Sequence, residues 1–336
     1  MPKTAVVILN YNGVGFLKQF LPGVIALSPD ADVIVADNGS TDGSLDYLRR
    51  AHPELRLIVF DQNYGFTGGY NRAIDQIDHE YTVLLNSDIE VTPHWITPIV
   101  EFLDEHPEVA ACQPKIKAYY EKDKFEYAGA AGGFIDALAY PYCRGRIFDT
   151  LESDTGQYDT IQPIFWATGA CLFIRTADYQ AVGGLDEDFF AHMEEIDLCW
   201  RLQLQDKLVY CLPESTVYHV GGGTLSKINP QKTYLNFRNN LSMIFKNESR
   251  INLIWKLPLR MSLDWISALK FWKDESFAHC LAILRAHKDF VLLLPQNTKK
   301  RRKPTHRANP KMTQNTVKSI LFHYFIKKQK HFSDLP

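Results

Sequence analysis

Four short polar clusters stand out between residues 10 and 88: Asn10-Tyr11-Asn12, Asp37-Asn38-Gly39-Ser40, Asn63-Tyr64-Gly65 and Asn86-Ser87-Asp88. Any one of them reads as a turn, because Asn, Asp and Gly dominate turns for backbone reasons alone. Four in succession, each after an apolar run, point to a binding crevice. Asp88, in LLNSDIEV, has no basic neighbour in the sequence, so its carboxylate suits a hard divalent cation bridging two phosphates. His219 lies between TVY and a triple glycine and could complete such a site, imidazole being tolerated by Mn²⁺ better than by Mg²⁺. The alternatives are an N-cap before Pro93 for Asp88 and a buried, hydrogen-bonded role for His219. A third group lies in HMEEIDLCWR: Glu194, Glu195 and Asp197 cannot share one helix face, since neighbours are about 100° apart. One of them can point into a cleft. Crowded carboxylates raise one another's pKa, which suits a general base acting on a hydroxyl. Asp197 and Arg201, spaced i, i+4, could instead pair with each other.

The elements that must position these residues are legible in the first hundred. Thr4–Leu9 is a β-branched apolar strand, and Phe16–Ala26 follows at helical spacing. Asp32–Ala36, Leu55–Phe60 and Tyr81–Leu85 read as further strands, with helices at Ser44–Ala51 and Tyr70–Ile77 between them. This alternation predicts a doubly wound α/β half-domain, whose ligands bind at the carboxyl ends of the strands. All four polar clusters fall there. From Glu108 to Asp159 the sequence has no clear period and reads as loops and short strands. Regularity returns at Ile164–Arg175, at an acidic helix around Glu194–Leu204, and at short strands Val209–Leu212 and Thr216–His219.

The chain of 336 residues is 46% hydrophobic and 23% charged with a formal charge of −2, so nothing in its composition calls for a nucleic-acid partner. The charge is unevenly spread. Phe290 to Ser333 holds eleven Lys or Arg and no Asp or Glu, leaving 26 basic against 39 acidic residues elsewhere. Three of the six tryptophans, Trp255, Trp265 and Trp272, fall in Ile251–Trp272, and KKRRK occupies 299–303. Aromatic rings on amphipathic helices beside a basic cluster suit an interfacial anchor to anionic lipid. A helical cap with a solvated basic tail is the alternative. The six cysteines show no CxxC spacing, and no stretch reads as a signal peptide or spanning helix. The expected location is cytoplasmic, peripheral on the inner face of the membrane.

In order and spacing, ILNYN, VADNGSTDGS, NYGFTGGYNRA, LLNSDIEV, GGLDEDFF, MEEIDLCWR and YHVGGGT resemble family 2 inverting glycosyltransferases of the GT-A fold, especially the rhamnosyltransferase-like branch. The resemblance covers roughly residues 3–245. It implies a GT-A, Rossmann-like domain over 1–245, with a nucleotide-sugar half (1–105) and an acceptor and catalytic half (106–245). The remainder, 246–336, would be an amphipathic helical, basic extension. It also implies an Mg²⁺- or Mn²⁺-dependent transfer, with inversion, from a UDP- or dTDP-sugar, rhamnose among them, to a lipid-linked or polysaccharide hydroxyl in surface glycan synthesis. By position, Tyr11 and Asp37 match residues that hold the nucleobase, flanked by Asn10 and Asn12, while Asn63, Gly65, Gly69 and Asn71 match the segment along the nucleotide and phosphates. Asn86-Ser87-Asp88 matches a DxD-type metal element with Asn in place of the first Asp, and His219 matches a further ligand. Glu195 matches the catalytic base, with Glu194 beside it as the other candidate; Trp166, Thr168, Gly169 and Asp197 fall among donor-sugar and acceptor contacts.

Two rival readings remain. Gly13-Val14-Gly15 and Asp37 suggest a dinucleotide fold, but the third glycine of that fingerprint would be position 18, which is Lys18. A sugar-nucleotide or glycan-binding module without catalysis would not need Asp88, Glu195 and His219 together.

Overall fold

A computed structural model describes residues 2–221, 229–301 and 317–336. Gly222 and Gly223 of the triple glycine, and Arg302 and Lys303 of the basic cluster, lie outside them. The chain runs β1 (Thr4–Asn10), α1 (Val14–Ala26), β2 (Ala31–Asp37), α2 (Ser44–Ala51), β3 (Arg56–Val59), α3 (Gly65–Ile74), β4 (Tyr81–Asn86), β5 (Ile89–Val91), α4 (Thr97–Glu105) and β6 (Val109–Ala118). A small sheet follows, β7 (Gly133–Ile135), β8 (Pro141–Cys143), β9 (Arg146–Ile147) and β10 (Thr150–Leu151). Then come β11 (Gln162–Pro163), β12 (Cys171–Arg175), α5 (Thr176–Ala181), α6 (Glu194–Gln203), β13 (Leu208–His219), α7 (Pro230–Asn247), α8 (Arg250–Asp274) and α9 (Phe277–Lys300).

The main sheet has the order β11-β13-β6-β12-β4-β1-β2-β3, with β5 on β13. β1, β2, β3 and β4 pair in parallel, as their apolar runs and intervening helices require, and β12 enters antiparallel between β4 and β6. Cores form on both faces: Leu17, Leu21 and Trp95 pack one side, Tyr70, Ile74 and Leu198 the other. In register, Asn10 lies opposite Asp37 and Leu9 opposite Asn86, which aligns three polar clusters along one rim. This is the α/β sandwich expected of a GT-A domain.

Three elements differ from the sequence-based expectations. β6 is a ten-residue buried strand inside the stretch read as loops; its polar Gln113 and Lys115 hide the strand signal, yet both find partners. The helix expected from Tyr70 begins at Gly65, because its glycines serve close packing and do not end the element. A β-carbon on Gly69 would come within 2.7 Å of Leu9, so the helix lies against β1 only with glycine there. Finally, the last residues are not simply a basic tail. Val317 and Ile320 are buried in the main core, Ile320 N–H donates to Asp136 at 2.9 Å, and the Phe332 ring stacks near Phe134. All six cysteines are buried and unpaired. Among the described residues no helix is long and apolar enough to cross a membrane.

Candidate active site

The rim of β1 and β2 is built by side chains bonding one another. Asn10, fully buried, donates from Nδ2 to Asp37 at 2.9 Å and to Ser40 at 3.0 Å, and Asp37 accepts the Ser40 N–H at 2.9 Å. Asn12, in the left-handed region, accepts the Thr41 N–H at 2.7 Å. Tyr11 between them stands exposed, free to stack on a flat ligand. Asn38, which the sequence offers only as a turn residue, proves to be a keystone: its amide bonds Asn63, Tyr64 N–H and Gly65 C=O, joining the second and third clusters. Gly65 has φ of +73°, and a β-carbon there would strike the Phe190 ring at 2.5 Å. Asn71 lies nearly two turns further along α3 and uses its amide on Leu185 and the Tyr179 hydroxyl, anchoring the loop before α6.

The same geometry speaks against dinucleotide binding at the first helix. The Val14 N–H, where a pyrophosphate would dock, is capped by the Asp42 carboxylate at 2.9 Å.

At the end of β4, Asp88 and His219 are both buried, with Asp88 Oδ1 3.2 Å from Nε2 of the imidazole. Asn86 Nδ2 lies 3.4 Å from the same nitrogen. On the far side, His219 Nδ1 is 3.2 Å from Glu126. Burial alone would lower the His219 pKa, but the two carboxylates outweigh it and push it up to about 10. Burial likewise works against the Asp88 charge, and the imidazole overcomes this to hold the carboxyl below its usual range. The two acids thus favour positive charge at the imidazole, and a cation taking Nε2 would have to replace the proton there. Among the described residues no three His, Cys, Asp or Glu side chains are arranged to hold a metal ion. A carboxylate–imidazole pair with an adjacent amide fits a divalent cation that takes its other ligands from phosphate and water. Glu126 escaped sequence analysis because it sits in an aperiodic, glycine-rich stretch; only the fold brings it to His219.

The acidic helix is reached through strained backbone. Phe190, His192 and Met193 all have φ between 64° and 70°, three non-glycine residues in left-handed conformation within the four that precede Glu194. Asn239 of α7 fastens them, its Nδ2 reaching the carbonyls of Phe189, Ala191 and His192 at 2.8–3.0 Å. Glu194 is buried, while Glu195 is only partly covered, and neither Oε2 has a partner. Burial pushes Glu195 up to about 7; Glu194 is raised well above its ordinary value by burial and by the adjacent Glu195 charge. Asp197, expected among substrate contacts, is committed elsewhere. Fully buried, it accepts from Arg201 at 2.8 Å and Asn247 at 2.7 Å, and Lys246 Nζ lies at 2.9 Å. The i, i+4 pairing with Arg201 is thus formed, and the network ties α6 to α7. Removing one member strands buried charge: Lys246→Ala should lower unfolding stability by about 3–5 kcal/mol, read by denaturant titration.

The Thr168–Ala170 segment joins the two acidic centres. Ala170 C=O accepts the Asn86 N–H at 2.9 Å, while a β-carbon on Gly169 would lie 3.0 Å from Phe66 and 3.8 Å from the Glu195 side chain. Asn86 and Glu195 therefore flank one short strand of backbone. Thr168 is buried, its N–H on Gln113 at 3.0 Å. Trp166 is buried too, donating from Nε1 to Phe134 C=O at 3.0 Å, with Gly133 under its ring. Both side chains set the wall behind Gly169.

Residues 5–178 match the family model for glycosyl transferase family 2. The N-acetylglucosaminyl-diphospho-decaprenol L-rhamnosyltransferase of Mycobacterium tuberculosis is 26% identical over 283 residues, 79% of this chain and 90% of that protein. A low-salt glycan biosynthesis hexosyltransferase, Agl10 of Haloferax volcanii, is 22% identical over 243 residues, 70% of this chain and 73% of its own. Among solved structures, GalNAc-T7 with UDP, GalNAc and Mn²⁺ superposes at a TM-score of 0.60 with 14% identity, covering 89% of this chain and 57% of that one. S. aureus TarS 1-349 in complex with UDP gives 0.56 and 16%, covering 89% and 83%. These likenesses establish the GT-A fold, and the family match over more than half its length places the chain in glycosyl transferase family 2.

Proposed function

We propose that the protein is a cation-dependent, inverting glycosyltransferase. It moves a sugar from a UDP- or dTDP-sugar to a hydroxyl of a lipid-linked or polysaccharide acceptor in surface glycan synthesis, at the inner face of the membrane. The observation that carries this reading is the Thr168–Ala170 segment, with the Asp88–His219 rim at one end and Glu195 at the other. Rhamnose is favoured as the sugar by the M. tuberculosis relative, which is named for L-rhamnosyl transfer. A divalent cation is favoured by the Mn²⁺ in the GalNAc-T7 structure.

The chain's residues divide the work. Tyr11 and the Asn10–Asp37 rim receive the base, and the Asn38–Asn63–Gly65 turn lies along the ribose and phosphates. Asp88 and His219 would hold a cation, with Asn86 and Ser87 beside them; when bound, it neutralises charge on the departing diphosphate. Glu195 removes the acceptor hydroxyl proton as that oxygen bonds to the anomeric carbon and the carbon–phosphate oxygen bond breaks, so the configuration inverts. Gly169, with Trp166 and Thr168 behind it, leaves room for the sugar between these centres. A panel of nucleotide sugars, each with Mn²⁺ or Mg²⁺ and with chelator, tests the proposal. Release of nucleoside diphosphate from one donor class, lost with chelator, is the expected result; no turnover with any donor while nucleotide still binds would make the chain a binding module.

A further inference from the structure

We propose that the outward face of α8, continued by the C-terminal segment, docks the protein flat on an anionic lipid bilayer. The proposal deepens the reading of a membrane-borne acceptor and rests on it for its purpose, though not for its observations.

Helix α8 is inverted relative to an ordinary surface helix. Its buried positions are Lys256, Arg260, Asp264 and Ala268. The charged ones have partners inside: Lys256 pairs with Glu248, Arg260 donates to Asn240 at 2.7 Å and lies over the Tyr140 ring, and Asp264 meets His287 at 3.2 Å. The apolar residues look outward. Ile251, Trp255, Leu259, Ile266, Leu269 and Trp272 are all exposed, Ile266 by 64%. At about 100° per residue they fall within one arc of about 140°, which Ser262 and, at its last turn, Lys273 interrupt. Since no described helix can cross a membrane, this stripe would lie in the plane of the interface.

A second element also exposes apolar residues. Phe322, Phe325 and Ile326 are exposed, and Phe325 packs 5.3 Å from Phe148. The neighbouring Asp149 is close enough to act on the charge of Lys270, on the last turns of α8. Charge selects the occupant. Lys270 borders the stripe, Lys273 lies at its end, and Lys327, Lys328 and Lys330 follow Ile326. A second copy would bring like charge to that edge. A bilayer of anionic lipid offers both the apolar depth and the opposite sign.

The test uses the full chain with vesicles of phosphatidylglycerol and phosphatidylethanolamine, or of phosphatidylcholine alone, read by co-sedimentation and by quenching of tryptophan emission with brominated lipid. The wild type should pellet with the anionic vesicles and be quenched. Ile254→Asp combined with Ile266→Asp, both already facing water, should cut vesicle partitioning roughly tenfold or more while circular dichroism and transfer to a water-soluble acceptor stay unchanged. Unaltered pelleting of that variant would overturn the proposal, as would a wild type that transfers sugar but ignores vesicles. So would a lipid-free dimer, seen by light scattering, that the double variant abolishes. Failure to transfer from any donor sinks the enzymatic reading instead, with the vesicle result standing separately.

Discussion

Glu195→Gln should reduce turnover by roughly 10²- to 10⁴-fold while leaving nucleotide affinity within about twofold, the pattern of a lost general base. The geometry supports this choice between two adjacent acids. Glu195 is partly open with its β-carbon beside Gly169, whereas Glu194 is buried. Burial, the largest influence on both, raises Glu195 to about 7 and carries Glu194 well above its ordinary value. Glu194→Gln, at the buried member of the pair, should therefore have a small effect on turnover. The pH dependence follows with a definite sign: the base form of Glu195 is lost as pH falls, so kcat should drop through an inflection near 7 and plateau above it. Steady-state turnover by mass spectrometry, paired with calorimetric nucleotide binding, checks all three. A fully active Glu195→Gln enzyme, or a loss confined to Glu194→Gln, would move the base to the neighbouring residue or off this helix.

Asp88→Ala should remove the dependence of nucleotide binding on cation. In the wild type, adding Mn²⁺ should tighten nucleoside diphosphate binding; in the variant that gain should shrink by about 10- to 100-fold. Asp88 and His219 would supply an anionic oxygen and an imidazole nitrogen to a cation, and Asp88→Ala removes the anionic one. The variant should fold, because it is the Asp88 backbone C=O that accepts the Val220 N–H at 3.1 Å and holds the strand end together. Isothermal calorimetry with and without chelator is the measurement. Cation-enhanced binding that persists in Asp88→Ala would exclude Asp88 as a ligand.

The contrast between these centres shows why parts of the site were legible early. Asp88 could be placed because a carboxylate ending a buried strand in a parallel sheet has one place to go, the carboxyl rim. Gly65 and Gly69 could be marked from their motif, yet their reasons, Phe190 and Leu9 against the backbone, are contacts between distant segments. Asp197 shows the opposite outcome. Its crowding with Glu194 and Glu195 made it one candidate base and the family resemblance set it among substrate contacts, but Lys246 and Asn247, about fifty residues away, hold it at the α6–α7 junction. Asn239 and Glu126 carried no local signal, since an asparagine in a helix and a glutamate in an aperiodic loop are ordinary until something lies opposite them.

What the sequence determined was everything fixed by local periodicity and composition: the strand–helix alternation of the first hundred residues, the rim of polar clusters, the acidic helix and the basic, tryptophan-rich end. The tertiary structure alone decided which acid of α6 stays partly open, that Glu126 lies against His219, and that α8 turns its charges inward and its tryptophans outward. The reason is physical. Period and propensity act over a few residues, whereas burial, and the pKa and pairing that follow from it, depend on which remote surfaces meet.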